Sequence, residues 1–262
     1  MTRATLPESL QVEFDGDDVA VLRLRRAAKR NALDDPTVLG IQAFFADPPE
    51  GVRAVVLDAE GKHFCAGLDL SELTERTTFE GLEHSRMWHR AFAQLQQGRL
   101  PVVSVLKGAV IGGGLELATA THLRVAESSA FYALPEGQHG LFVGGGGSVR
   151  VPQLIGVHRM ADMMLTGRVV GAEEGQALGL SHYLTGPGEG LAKALELAHK
   201  IAANSPVTNF AVLQALPRIA TAHPAEGYLM ESLVAALASS SEQAQERMRT
   251  FLAGRGGKVT PA

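Results

Sequence analysis

Apolar and polar residues alternate over residues 10–14 and again over 19–24, around the turn-forming run Asp15-Gly16-Asp17-Asp18. That pattern predicts a β-hairpin. Asp34 and Asp35 are N-cap candidates, with Pro36 near the first position of a helix that runs to about Phe45, before Asp47-Pro48-Pro49. Residues 52–57 are short and almost wholly apolar, as in a strand buried on both faces. Ser71 is a candidate helix cap, and over 79–95 the positions Leu82, Met87, Trp88, Phe92 and Leu95 form one apolar side of a helix.

The apolar run 101–106 leads into three adjacent glycines, Gly112-Gly113-Gly114, and then into a helix over 115–120. Strands are predicted at 122–125 and 130–134, followed by the turn Pro135-Glu136-Gly137. A second glycine-rich helix start lies at 143–150. Helices at 157–166 and 172–178 flank a short strand at Val169-Val170, and a last strand covers 180–184. From Gly188 the strand pattern stops. Four helices, 191–203, 207–216, 225–237 and 242–252, follow with Pro206 and Pro224 at helix starts. The pattern therefore divides the chain into a mixed α/β body over 1–200 and a helical segment over 201–262. The end, with Gly254, Gly256, Gly257 and Pro261, reads as mobile.

Composition narrows the class. With 262 residues, 45% hydrophobic and 20% charged, the chain is of enzyme size and globular character. A net charge of -4 leaves no basic footprint for nucleic acid. Cys65 is the single cysteine, which excludes an intrachain disulfide and a multi-cysteine zinc site. The N-terminus lacks the apolar core of a signal peptide and no apolar run approaches the ~20 residues of a membrane span, so a cytoplasmic protein is expected. The nine histidines form no cluster, and His84 and His89 are five apart rather than four, so no metal is expected.

Chemistry concentrates at the glycines. Gly112 to Gly114 at a strand-to-helix junction would leave backbone N–H groups bare beside the positive end of a helix, with the carboxylate of Glu116 in the first turn. A second glycine-flanked loop, Phe64 to Leu70, has the same character. If the two converge, the N–H groups of Leu68 and Gly113 point at one oxygen and would stabilise a developing oxyanion. Taken alone, each glycine cluster is also what a tight turn requires, and Glu116 is also what a helix start attracts. The basic cluster Arg23, Arg25, Arg26, Lys29 and Arg30 reads by itself as an exposed strand end. Cys65 reads as a small buried thiol, His139 as a loop histidine or a third catalytic group, and Ser148 lacks the final glycine of a nucleophile elbow.

Phe64-Cys65-Ala66-Gly67-Leu68-Asp69, then Gly112-Gly113-Gly114-Leu115-Glu116-Leu117, then Leu134-Pro135-Glu136 resemble the ordered signatures of the crotonase (enoyl-CoA hydratase/isomerase) superfamily. Arg30-Asn31-Ala32-Leu33 upstream, and Leu165-Thr166-Gly167-Arg168, Ala172 and Gly179-Leu180 downstream, match its landmarks, so the resemblance spans about residues 10–255. It implies a spiral of ββα units followed by a helical segment used for trimer, or dimer-of-trimers, contacts. It implies acyl-coenzyme A thioesters as substrates, with coenzyme A entering as part of the substrate and no prosthetic group. By the same resemblance Leu68 and Gly113 form an oxyanion hole, Glu116 holds a water and Glu136 handles the α-proton. Lys29 and Arg30 lie where the family meets coenzyme A phosphates, and His63, Ala66 and Leu68 where it meets adenine and pantetheine.

Two acids favour an enoyl-CoA hydratase of fatty acid metabolism over an isomerase, which commonly keeps an acid at one position only. Departures from the family pattern fall at Lys107, Ala133, Gly137, His139 and Val143. His139 is expected to polarise the acyl pocket and Tyr132 to narrow it, against a simple straight-chain substrate. The rival readings are an isomerase or hydrolase of the same family, a non-catalytic acyl-CoA-binding protein, and a dinucleotide-dependent oxidoreductase read from Gly108 to Gly114, whose glycine spacing fails that fingerprint.

Overall fold

The computed structural model describes residues 6–72, 75–240 and 242–253; the chain end expected to be mobile lies outside them. The chain forms two compact units, one up to Ile201 and one from Ala202. In chain order the strands are β1 (Leu10–Asp15), β2 (Val19–Leu24), β3 (Ala54–Ala59), β4 (Val102–Leu106), β5 (Ala109–Ile111), β6 (Leu123–Glu127), β7 (Phe131–Ala133), β8 (Val170–Gly171) and β9 (Tyr183–Thr185). The helices up to the unit boundary are α1 (Asp35–Ala46), α2 (Thr78–Gln96), α3 (Gly113–Thr119), α4 (Gly147–Ile155), α5 (Val157–Thr166), α6 (Ala172–Leu178) and α7 (Gly190–Ala202).

The larger sheet has the order β1-β2-β3-β4-β6-β9, antiparallel only at the β1–β2 hairpin and parallel elsewhere. A smaller sheet, β5-β7-β8, is extended by single-residue bridges between Cys65 and Val110 and between Leu33 and Leu68. The chain alternates between the two. β3 is followed by the Cys65 segment and α2, and β4 by β5 and α3. Each turn thus adds one strand to the large sheet, a short piece to the small one and a helix, which is a spiral of ββα units. Parallel neighbours need such crossovers, because a hairpin cannot join them.

Local signals explain the elements. Every residue of β3 is buried, as expected of a central parallel strand. The Asp34 side chain caps α1 by accepting from the Thr37 N–H at 3.0 Å. Thr77 and Glu80 form a capping box that starts α2. Two local expectations fail. Leu82 lies on an exposed stretch of α2, because burial along that helix begins only near Met87 and Trp88, where it meets the core. Ser71 caps no helix; it sits inside a 3-10 turn, Leu70–Glu72, and its N–H donates to Asp69 Oδ1 instead.

The second unit contains α8 (Pro206–Phe210), a π-helical turn Ala211–Ala215, α9 (Leu216–Thr221), α10 (Pro224–Ser240) and α11 (Glu242–Leu252). The helix expected to end at residue 216 continues to Thr221. Pro217 has no N–H to donate, and the wider turn just before it accommodates the missing bond. Among the described residues no helix is long and apolar enough to cross a membrane.

Candidate active site

Consecutive turns of the spiral bring the two glycine-flanked loops together. Cys65 N–H donates to the Ala109 carbonyl at 2.9 Å, and Ile111 N–H to the Cys65 carbonyl at 3.0 Å, so the loops continue the small sheet side by side. Gly67 has φ +99°, and a Cβ there would fall 2.9 Å from the Ile111 carbonyl oxygen. Only glycine permits that approach. At Gly113 a Cβ would meet the Trp88 ring at 2.9 Å and the Leu68 nitrogen at 3.4 Å. The Leu68 N–H has no hydrogen-bond partner among the described residues, and the Gly113 N–H opens α3, where no earlier helical carbonyl can receive it. Two adjacent unspent donors are the arrangement an oxyanion requires.

Glu116 is 3% exposed. Its Oε1 accepts from the N–H groups of Gly145 and Gly147, both at 2.8 Å, at the start of α4. Close approach is what the glycines provide: a Cβ at 147 would sit 2.9 Å from Glu116 Cγ, and one at 145 would sit 3.0 Å from Oε2. Arg150 completes the frame. Its Nη2 donates to the Glu116 carbonyl at 3.0 Å and to the Gly145 carbonyl at 2.6 Å, while its guanidinium lies 5.8 Å over the Phe92 ring. Burial pushes the Glu116 carboxyl upward, opposed by the Gly147 and Gly145 N–H groups and the Arg150 charge. One oxygen is held and the other is left for chemistry.

Glu136 comes from the 3-10 turn Pro135–His139 that follows β7. A Cβ at Gly112 would fall 2.6 Å from its Oε1, which places the carboxyl against the start of α3. Its Oε2 is buried without a hydrogen-bond partner among the described residues. Burial first, and the Glu116 charge after it, push this carboxyl up to about 7. Leu68, Gly113, Glu116 and Glu136 all line one cavity of about 530 Å³, together with Ala66 and His139.

The other sequence candidates divide. Tyr132 does not narrow this cavity. It is fully buried elsewhere, against Gly175 of α6, because its place in β7 directs it into the core. Cys65 is fully buried and its thiol is pushed up to about 12 by burial, which leaves no thiolate for nucleophilic work. Gly108, part of the dinucleotide reading, packs against the Lys62 carbonyl and the His63 ring, and so is closed to a phosphate.

Lys29, Arg30 and His63 lie outside the cavity lining, on the adjoining corner. Lys29 Nζ and Arg26 Nη2 converge on Asp69 Oδ2 at 2.8 and 2.6 Å, holding that carboxyl well below its usual range. Arg30 sits in a left-handed conformation (φ +50°), exposed and with no ion pair among the described residues. The His63 Nδ1 accepts from the Ala109 N–H at 3.0 Å, and burial, with the Arg30 and Lys62 charges, lowers the ring's pKa.

Two organisers of this region were given no role from the sequence. Asn31, 1% exposed, accepts from the Arg26 N–H and donates to the carbonyls of Glu60 and His63, tying the basic turn to the loop after β3. Arg150 was legible only as the end of the second glycine-rich helix start.

A family model described as Enoyl-CoA hydratase/isomerase matches residues 15–257. The short-chain-enoyl-CoA hydratase of Clostridium acetobutylicum is 30% identical over 240 residues, covering 90% of this chain and 92% of that protein. The enoyl-CoA hydratase EchA19 of Mycobacterium tuberculosis is 30% identical over 88% of this chain and 89% of its own length. A crystal structure from Rhodopseudomonas palustris CGA009, of a protein provisionally named an enoyl-CoA hydratase, superposes with a TM-score of 0.92 at 56% identity, covering 96% of this chain and 98% of that one.

Proposed function

This chain belongs to the enoyl-CoA hydratase/isomerase family, and on that premise we propose that it is an enoyl-CoA hydratase, adding water to a 2-enoyl-CoA to give a 3-hydroxyacyl-CoA. The observation that carries this reading is the convergence of two carboxyls, Glu116 and Glu136, on the cavity that also holds the unspent Leu68 and Gly113 N–H groups. In this scheme the thioester carbonyl receives both N–H groups. Its oxygen takes the charge as water oxygen bonds to C3 and the double-bond electrons move toward the carbonyl.

The water's proton goes to Glu116, whose held Oε1 leaves Oε2 to act as base. A carboxyl poised near 7 still carries a proton at neutral pH, so Glu136 delivers one to C2. Exchange with solvent then restores both acids, and the net change is addition of one water. The reaction needs no prosthetic group, since the thioester itself accommodates the charge. Lys29, Arg30 and the His63–Leu68 strip serve the coenzyme A moiety in this reading, and trimeric assembly through the helical segment goes with it.

The test is direct. With a 2-enoyl-CoA the conjugated thioester absorbance falls as hydration proceeds. Migration of the double bond of a 3-enoyl-CoA, with no hydration of the 2-isomer, makes the protein an isomerase instead.

A further inference from the structure

The cavity carries a cation that a hydrocarbon tail does not require. Besides the two proposed catalytic acids, its ionisable or hydroxyl-bearing lining side chains among the described residues are Arg76, His84, Ser85 and His139. Two of these are occupied. His84 Nε2 pairs with Asp35 Oδ1 at 2.8 Å, and Ser85 Oγ donates to the Gly144 carbonyl at 2.6 Å. The other two are not: neither Arg76 nor His139 has a hydrogen bond or ion pair among the described residues. Arg76 lies within electrostatic reach of Glu80, whose carboxyl is itself engaged in the Thr77 capping box. A guanidinium that lines a cavity, with five donors and no ion pair among the described residues, suits a planar anion.

We propose that the acyl group this protein accepts ends in a carboxylate, read by Arg76, with His139 in the same cavity lining. This deepens the hydratase reading and rests on it. The cavity already contains the Glu116 carboxylate, so an anionic tail is repelled unless a cation meets it, and among the described residues Arg76 is the only arginine or lysine in the lining. Leu141 and Phe142 contact the methylene stretch between thioester and tail in this scheme. Lys29 and Arg30 lie outside the lining, which separates the nucleotide-facing cations from this one.

The experiment compares 2-enoyl-CoA thioesters of five to eight carbons that end either in a methyl group or in a carboxylate, on the wild type and on Arg76→Met and His139→Gln. The expected result is a higher kcat/KM for the carboxylate series at one or more lengths. The carboxylate-to-methyl ratio should then fall at least about tenfold in Arg76→Met, the size of one lost charge-assisted bond, and by a smaller factor in His139→Gln. A methyl series preferred at every length, or a ratio that Arg76→Met leaves unmoved, overturns the inference. So does an equal loss for all thioesters and for free coenzyme A, since Arg76 then reads the nucleotide phosphates.

Calorimetric Kd values for the corresponding saturated acyl-CoA pairs give the same ratio without turnover. If no enoyl-CoA is hydrated, the hydratase reading fails while the Kd ratio still decides whether Arg76 selects a carboxylate. Circular dichroism of each variant excludes loss of fold.

Discussion

The two glycine-rich helix starts, Gly112-Gly113-Gly114 before α3 and Gly144-Gly145-Gly146-Gly147 before α4, present the same local chemistry: bare N–H groups at the positive end of a short helix. At α3 the Gly113 N–H stays unspent beside that of Leu68. At α4 the Gly145 and Gly147 N–H groups are consumed by the carboxylate of Glu116, which α3 itself supplies. One helix start keeps an unspent N–H in the cavity lining and the other orients a carboxylate. An N–H array is therefore not a binding site until the fold determines which anion reaches it first.

The largest effect on this contrast is expected from Glu116→Gln, which removes the shared element. The amide cannot accept water's proton, so hydration should fall about 10²–10⁴-fold with little change in KM. Near-normal turnover of a 2-enoyl-CoA would show that Glu116 is only the occupant of the α4 start.

Alanine at each helix start separates their uses. Gly113→Ala forces a Cβ against Trp88 and toward the Leu68 nitrogen, and losing one oxyanion donor costs roughly 10²-fold in kcat. Gly145→Ala presses on Glu116 Oε2 and on Trp88 at 3.0 Å. It should cost about tenfold, the scale of one hydrogen bond to a charged group, and it should shift the acid limb of the pH–rate profile, which Gly113→Ala should leave in place. The same profile shift in both variants would erase the distinction.

The smallest effect is on stability and falls on Glu136. Its folded carboxyl is raised from an ordinary 4.5 to about 7, so between those pH values the folded state binds more protons than the unfolded one. Stability contributed by this group is present below 4.5 and lost as pH rises through about 7. Glu136→Gln escapes that loss. Its melting temperature relative to the wild type should therefore rise between pH 5 and pH 8 while hydration drops. A difference constant across that window would mean that the carboxyl is not perturbed.

Legibility differed between fold and site. The strand and helix succession was readable because buried parallel strands are short apolar runs and because a cap such as Asp34 acts locally. The boundaries failed where the decisive partner was remote. Leu82 has the spacing of a core position but lies beyond the core's reach, and Ser71 yields the capping role to Asp69, which the Lys29 and Arg26 cations hold in place. Tyr132 was misplaced for a similar reason, since the residue types along β7 do not say which side of the small sheet meets α6.

By itself the sequence determined the mixed body, the helical segment and the order of the glycine motifs. These rest on local spacing and on residue type, which a chain carries whatever its partners. Only the tertiary structure decided that Leu68 and Gly113 are neighbours, that Glu116 is clamped by Gly145, Gly147 and Arg150, and that Arg76 lines the cavity with no ion pair among the described residues. Those are contacts between residues far apart in the chain, made by successive turns of the spiral. No periodicity encodes them, because which buried group satisfies which is settled only when the two sheets close around the core.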